Sequence, residues 1–134
     1  MKNLKIGFVG AGNMAQAIIG GMLKTGTLAE NVSIFEPNEA HANALAERLG
    51  INIAASNADL LATHDVVVLA VKPQIMASVL GGLKGASLKE GAFLVSVAAG
   101  LPIALMQKWL AKASPMVRVM PNTPALVGAG VSGL

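Results

Sequence analysis

Short apolar runs alternate with helix-like patterns along the whole chain. Six runs are rich in branched apolar residues and are bounded by Gly, Pro or Asn, which is the pattern of strands. We predict strands at residues 4–9, 32–36, 51–54, 65–71, 93–98 and 117–120. The run at 65–71 is apolar almost without a break, which indicates a strand buried on both faces.

Between these runs, apolar residues recur every three or four positions, as they do on one face of a helix. We predict helices at residues 14–25, 39–49, 57–62, 73–80 and from 102 onward. Asn57 is predicted to cap the third of them. Strands that alternate with helices form a parallel sheet covered on both faces and joined by right-handed crossovers. We therefore predict an α/β fold with a doubly wound, mainly parallel sheet of the Rossmann type, whose ligand lies beyond the carboxyl ends of the strands.

The chain is unusually apolar for its 134 residues. Hydrophobic residues make up 54% before the 15 glycines are counted, whereas typical domains are about 45–50% apolar with glycine included. A membrane protein and a soluble piece with an uncovered apolar face both fit this composition. No apolar run reaches the roughly 18–20 residues of a spanning helix, and one long uncharged window, 91–107, is interrupted by Gly100 and Pro102. We favour the second interpretation, in which residues 1–134 are one domain of a longer protein without a membrane partner.

Charge and residue types argue against several other functions. The ten Lys and Arg residues are scattered and the net charge is only +3, whereas a nucleic-acid groove needs clustered cations and stacking side chains. We therefore expect no nucleic-acid partner. The absence of cysteine removes disulfides and thiolate ligands and fits a cytoplasmic location. His41 and His64 stand apart from other metal-ligand types, so we interpret both as surface residues and expect no metal site.

A glycine-rich segment follows the first predicted strand and opens the first predicted helix. Its sequence, Gly10-Ala11-Gly12-Asn13-Met14-Ala15, has the G-x-G-x-x-A spacing of a dinucleotide-binding turn. Gly10 would permit the tight turn, and Gly12 would let a diphosphate approach the backbone at the positive end of the helix. Ala15 is small enough for that helix to pack closely on the sheet. The alternative is that the glycines serve only a turn.

An acidic residue, Glu36, ends the second predicted strand, 24 residues after Gly12. A carboxylate there accepts hydrogen bonds from the adenosine ribose of NAD and repels the 2′-phosphate of NADP. The alternative is a solvated loop carboxylate. No Lys or Arg occurs between Glu36 and Leu45 to receive a 2′-phosphate, so we expect NADH to bind at least as well as NADPH.

Three further strand ends converge on the same edge of the predicted sheet, and each has two interpretations. Lys72 either holds an anion or is a solvated lysine at the end of the fourth strand. Small residues at 96–100 leave backbone groups open to a nicotinamide ring, or they simply let helices pack. The rigid turn after the sixth strand either completes the cofactor site with Asn122, Thr123 and Pro124 or is an ordinary turn.

Four segments together resemble pyrroline-5-carboxylate reductases, in order and at that family's spacing. They are IGFVGAGNM at 6–14, VKP at 71–73, SVAAG at 96–100 and MPNTPA at 120–125. The resemblance implies reduction of 1-pyrroline-5-carboxylate to L-proline by NADPH or NADH, the last step of proline biosynthesis, in a homo-oligomeric enzyme. It also implies a C-terminal helical domain that binds substrate and joins subunits. We expect residues 1–134 to lack that domain, and with it most catalytic residues.

The resemblance also implies which residues contact the cofactor. The diphosphate would be held by Val9, Gly10, Ala11, Gly12, Asn13 and Met14, the cofactor lined by Asn57, Ala70, Val71, Lys72 and Pro73, and the nicotinamide flanked by Ala98, Ala99 and Gly100. Glu36 departs from the small or basic residues common in this family, which often uses NADPH, so the cofactor preference stays open. The alternatives are another reductase of the same plan, such as a 3-hydroxyisobutyrate or F420-linked dehydrogenase, and a non-catalytic dinucleotide-binding module.

Overall fold

Parallel pairing joins every pair of neighbouring strands in the sheet of this protein. The computed structural model describes residues 4–98, 100–111 and 114–119. Within these ranges the sheet has the order β3-β2-β1-β4-β5-β6. Its strands are β1 Ile6–Val9, β2 Val32–Phe35, β3 Asn52–Ile53, β4 Val66–Leu69, β5 Phe93–Ser96 and β6 Met116–Arg118. This is the strand order of a dinucleotide-binding sheet, and it confirms the predicted fold class.

Five helices and one 3-10 turn connect the strands in the described ranges. The helices are α1 Asn13–Lys24, α2 Glu39–Leu49, α3 Asn57–Thr63, α4 Pro73–Gly81 and α5 Ile103–Leu110, and the 3-10 turn is Ala29–Asn31. The longest of them, α1, has 12 residues. Nowhere in the described part of the chain is a helix both long and apolar enough to cross a membrane.

The helices cover both faces of the sheet because alternate strand residues point to opposite sides. On one face, Phe8 and Val68 pack in a cluster with Ile19 of α1 and Leu45 of α2. On the other face, a second cluster takes in α3, α4 and α5. Its members include Val9, Val67, Leu69, Leu60, Met76, Leu80, Met106 and Leu110. Two separate apolar layers of this kind are what a doubly wound sheet requires.

The register of the central strands brings their carboxyl ends to one level. Val9 of β1 lies opposite Phe35 of β2 and Leu69 of β4, and Leu69 in turn lies opposite Ser96 of β5. The segments that follow these four residues therefore start side by side at one edge of the sheet. These are the segments that the sequence analysis singled out.

Strands β1 and β4 are shorter than the predicted runs 4–9 and 65–71. The N–H of Lys5 donates to the Asp65 carboxylate (2.8 Å) rather than to a neighbouring strand, so β1 begins at Ile6. At the other end of β4, the pairing stops at Leu69, and the chain turns through Ala70 and Val71 before Pro73 starts α4. Proline suits that first helical position, since an N–H there would have no helical partner.

Two expectations about polar residues were wrong. Ser56, not Asn57, caps α3: its hydroxyl accepts a hydrogen bond from the Asp59 N–H (3.0 Å), and Asn57 is the first helical residue. His64 is not a surface residue, because it is only 7% exposed. It follows α3 and lies beneath β1, where Thr63 Oγ1 lies 2.8 Å from its Nδ1.

Candidate functional site at the carboxyl edge of the sheet

The glycine-rich loop begins with a residue that must be glycine for steric reasons. Gly10 has a φ of +97°, and a Cβ placed on it would lie 2.9 Å from Cγ1 of Val71 and 3.0 Å from the carbonyl oxygen of Ala70. Its N–H donates to the carbonyl of Phe35 (3.0 Å). The loop is thereby fixed between the end of β2 and the segment after β4, at the centre of the carboxyl edge.

The second glycine of the motif has no such constraint. Gly12 has φ −80° and ψ −167°, an extended conformation open to any residue, and it is exposed. A Cβ placed on it would have no protein atom within 4 Å. Neither the backbone nor the packing of the described residues explains this glycine. The space beside it is open for a ligand, as the dinucleotide-binding interpretation of the motif requires.

Helix α1 begins at this loop without a side-chain cap. Gly12 occupies its N-cap position and offers no side-chain acceptor, whereas Asn38 caps α2 and Ser56 caps α3. The first helical bond runs from the Gln16 N–H to the Gly12 carbonyl (3.0 Å), so the N–H groups of Asn13, Met14 and Ala15 have no partner inside α1. Unpaired amides at the positive end of a helix form a binding site for an anionic group such as a diphosphate.

An apolar cleft of about 250 Å³ lies on the β4 and β5 side of the loop. It is lined by Met14, Val71, Lys72, Pro73, Val97 and Ala98. Residues from three predicted segments meet here, namely the start of α1 and the turns that follow β4 and β5. Lys72 is exposed and is the one charged residue among these lining residues. Apolar walls beside a row of amides suit an aromatic ring attached to a phosphate.

A second cleft, of about 330 Å³, lies on the β2 and β3 side of the loop. Its lining residues are Phe35, Glu36, Glu39, Ala42, Asn43, Ile53, Ala54 and Ala55. Glu36 was predicted to end the second strand; β2 ends at Phe35, and Glu36 is the next residue. Its Oε2 accepts a hydrogen bond from the Asn38 N–H (3.1 Å). That bond fixes the carboxylate at the wall of the cleft, beside the start of α2. Glu36 is therefore placed to meet a ligand there.

Asn57 does not line either of these clefts, although Ala55, two residues before it, lines the larger one. Asn57 lines a third groove, of about 310 Å³, between the start of α3 and the end of α4, together with Ser78 and Val79. Its Oδ1 is buried and has no hydrogen-bond partner among the described residues. The role of Asn57 at the cofactor therefore stays a prediction, and its unused acceptor is free to bind a ligand.

The turn after β5 is described only in part. Ala98 is buried, and its N–H donates to the Ser96 hydroxyl (3.3 Å). Gly100 is exposed and has a φ of +76°. Ala99, Asn122, Thr123 and Pro124 lie outside the described residues. In the described part of the chain, no three His, Asp or Glu side chains are grouped as a metal site would require.

The structure also shows contacts at the loop that the sequence analysis missed. The carbonyl of Ala11 lies 2.6 Å from Nε2 of His41 and accepts a hydrogen bond from Nε2 of Gln16 (3.1 Å). Arg48 donates to Oε1 of Gln16 (3.0 Å). His41 is exposed, as predicted, but it contacts the glycine-rich loop from α2. No signal in the sequence identifies that contact, because 30 residues separate the two partners.

Comparison with known proteins gives consistent relatives for the whole chain. A pyrroline-5-carboxylate reductase of Pseudomonas aeruginosa is 44% identical over 134 residues, which is 100% of this chain and 49% of the relative. The structure of a pyrroline-5-carboxylate reductase from Coxiella burnetii superposes with a TM-score of 0.82 at 35% identity, covering 92% of this chain and 46% of the other. A pyrroline carboxylate reductase of Plasmodium falciparum with NADP bound gives 0.78 at 34% identity, covering 95% and 45%.

These similarities confirm the resemblance that the four motifs indicated. The chain spans about half the length of the curated relatives it matches. Residues 5–100 match the family model described as NADP oxidoreductase coenzyme F420-dependent. That match extends from β1 past β5 and includes the glycine-rich loop and both clefts beside it. The chain therefore belongs to the family of NADP oxidoreductases that this description names.

Proposed function

We propose that this chain is the dinucleotide-binding part of a pyrroline-5-carboxylate reductase. In that reaction a hydride from NADPH or NADH reduces the C=N bond of 1-pyrroline-5-carboxylate, and a proton goes to the nitrogen, which yields L-proline. The similarity of the whole chain to about half the length of curated reductases of this name supports the proposal. The same resemblance supports a cytoplasmic, homo-oligomeric enzyme of proline biosynthesis.

The observation that carries the proposal is the order of three features along one edge of the sheet. The larger cleft lies beyond β2 and β3, the uncapped start of α1 lies beyond β1, and the apolar cleft lies beyond β4 and β5. Since β1 lies between β2 and β4 in the sheet, the amides lie between the two clefts. A dinucleotide has the same order: adenosine, diphosphate and nicotinamide riboside.

The residues of this chain would position the cofactor rather than complete the reaction. The amides of Asn13, Met14 and Ala15 would hold the diphosphate, and the walls formed by Met14 and Val97 would orient the nicotinamide ring. Among the described residues lining the apolar cleft, only Lys72 is charged, and it is exposed. We expect the 134-residue chain to bind the cofactor without forming proline.

We further propose that Glu36 favours NADH over NADPH by accepting hydrogen bonds from the ribose hydroxyls and repelling a 2′-phosphate. Its position on the wall of the larger cleft supports this. Glu39 lines the same cleft from the first turn of α2 and is the matched control for charge. Removal of a carboxylate that contacts the ribose should change the affinities for NADH and NADPH by different factors. Removal of a solvated carboxylate should change both affinities by the same factor.

The test is calorimetric titration of NADH and NADPH into the wild type, Glu36→Ala and Glu39→Ala. A hydrogen bond to a charged group corresponds to roughly tenfold in affinity or more. We expect Glu36→Ala to weaken NADH binding by about that factor and to strengthen NADPH binding, and Glu39→Ala to leave their ratio nearly unchanged. Equal effects of the two variants would reject the role of Glu36. Failure of the wild type to bind either cofactor would reject the proposed function itself.

A further inference from the structure

We propose that His41 and Gln16 are positioning residues, which hold the Ala11–Gly12 peptide so that the Gly12 N–H is presented to the cofactor diphosphate. The inference rests on the proposed function. Neither side chain lines either of the two clefts beside the loop. Both would act on the cofactor only through the backbone of the loop.

The Ala11 carbonyl is held from two helices at once. Nε2 of Gln16 on α1 donates to it (3.1 Å), and Nε2 of His41 on α2 lies 2.6 Å away. A carbonyl oxygen can only accept, so the proton of the imidazole must be on Nε2. Ala11 has no exposed surface, and these side chains therefore supply bonds that solvent cannot replace.

Both donors are themselves fixed in place. The backbone N–H of His41 donates to Oδ1 of Asn38 (3.1 Å), which anchors this residue in the first turn of α2. Arg48, also on α2, donates to Oε1 of Gln16 (3.0 Å). Because guanidinium is only a donor, it takes the oxygen of the Gln16 amide and leaves the NH₂ group for Ala11.

Because the peptide bond is planar, these two contacts of the Ala11 carbonyl also fix the direction of the Gly12 N–H. No cis peptide bond occurs in the described residues, and in a planar trans peptide the C=O and N–H bonds point in opposite directions. A carbonyl turned toward His41 and Gln16 therefore turns the Gly12 N–H away from them. Gly12 is exposed and precedes the unpaired amides of α1. The Gly12 N–H would thus bind the diphosphate together with the N–H groups at the start of α1.

The test compares three variants of the full chain by calorimetric titration with NADH and NADPH. His41→Leu keeps the bulk of the side chain but removes the donor, His41→Gln restores an N–H donor of similar reach, and Gln16→Met removes the second donor. Glu47→Leu, at an exposed position on the same helix, controls for an added leucine. Unfolding by urea is measured on each protein to separate affinity from stability.

We expect His41→Leu and Gln16→Met each to weaken both cofactors by the same factor, about three- to tenfold, as the loss of one hydrogen bond predicts. His41→Gln should bind within about twofold of the wild type, as should Glu47→Leu. An equal factor for both cofactors distinguishes this role from that of Glu36, which changes their ratio. If His41→Leu does not fold, Gln16→Met tests the same carbonyl.

Three outcomes would overturn the inference. Unchanged affinity in folded His41→Leu or Gln16→Met, with a wild type that binds, would reject the positioning role and leave the proposed function standing. Equal losses in His41→Leu and His41→Gln would show that the effect does not depend on a donated hydrogen bond. A wild type that binds neither cofactor would reject both the inference and the proposed function.

Discussion

Gly10 and Gly12 stand two residues apart in one loop and differ in what a side chain would do there. At Gly10 a Cβ would contact Val71 and the Ala70 carbonyl, and the backbone has a left-handed conformation. At Gly12 the backbone is extended and the space beside it is open. The first glycine therefore serves the fold. No contact among the described residues requires the second, and the dinucleotide-binding interpretation of the motif gives a reason for it.

His64 is a residue whose burial has a consequence for stability. It is nearly enclosed beneath β1, where a Cβ on Gly7 would lie 3.3 Å from its Cγ. Burial lowers the pKa of His64 below its ordinary value of 6.5, and the charge of Lys5 lowers it further. Asp59 and Asp65 oppose this shift in part. The folded protein therefore holds this ring neutral at a pH where the unfolded chain is already protonated.

We predict that the free energy of unfolding falls as the pH drops below about 6.5, because the unfolded state then binds the proton more readily. The pKa of Asp65 is lowered from 3.8, chiefly by its hydrogen bond with Lys89, so its own contribution is lost only at more acidic pH. Urea unfolding at several pH values between 5 and 7.5 measures the effect. Plotted against pH in this range, the free energies of unfolding of the wild type and of His64→Gln should have different slopes. Parallel curves would contradict the prediction.

Among the elements, the start of each helix at the carboxyl edge has its own chemistry. Asn38 and Ser56 accept hydrogen bonds from the first turns of α2 and α3, and Pro73 begins α4. The starts of α1, α4 and α5 have no side-chain cap, and of these three only α1 has a glycine at the N-cap, the exposed Gly12. Capped helices are stabilised by their own side chains, whereas the amides of α1 stay available to a ligand.

The cap of α3 can be tested directly. Ser56→Ala removes the acceptor for the Asp59 N–H and should lower the free energy of unfolding by about 1 kcal/mol. Serine at the neighbouring position 57 would not restore the loss, because Asn57 is already inside the helix. Urea unfolding of Ser56→Ala and of the double variant Ser56→Ala/Asn57→Ser measures this. Recovery of wild-type stability in the double variant would show that the cap can move by one residue.

At the scale of the whole molecule, the alternation of strands and helices was predictable because it depends on local periodicity. Apolar residues repeat every two positions in a strand and every 3.6 in a helix, and both patterns are visible in the sequence. The predicted helix 39–49 coincides with α2, and Pro73 begins α4 as predicted. The glycine-rich loop was also predictable, since its chemistry lies in consecutive residues.

Features that depend on distant neighbours were not predictable. Ser56 and Asn57 are both good N-cap residues, and only the folded backbone decides between them. The contact between His41 and Ala11 joins residues 30 positions apart. His64 is buried because α3 packs under β1, which a lone histidine in a polar segment does not indicate. The expectation that the apolar excess reflects a longer protein stays a prediction.

The most direct test of the central claim is the affinity of Gly12→Val for NADH, measured by calorimetric titration. The open space at Gly12 should let this variant fold, with a free energy of unfolding within about 1 kcal/mol of the wild type. Gly10→Ala, in contrast, should be clearly destabilised, because its Cβ would contact the Ala70 carbonyl. We predict that folded Gly12→Val binds NADH at least about tenfold more weakly than the wild type, because the side chain fills the position of the diphosphate. Wild-type affinity in the folded variant would contradict the claim that the amides at the start of α1 hold the cofactor.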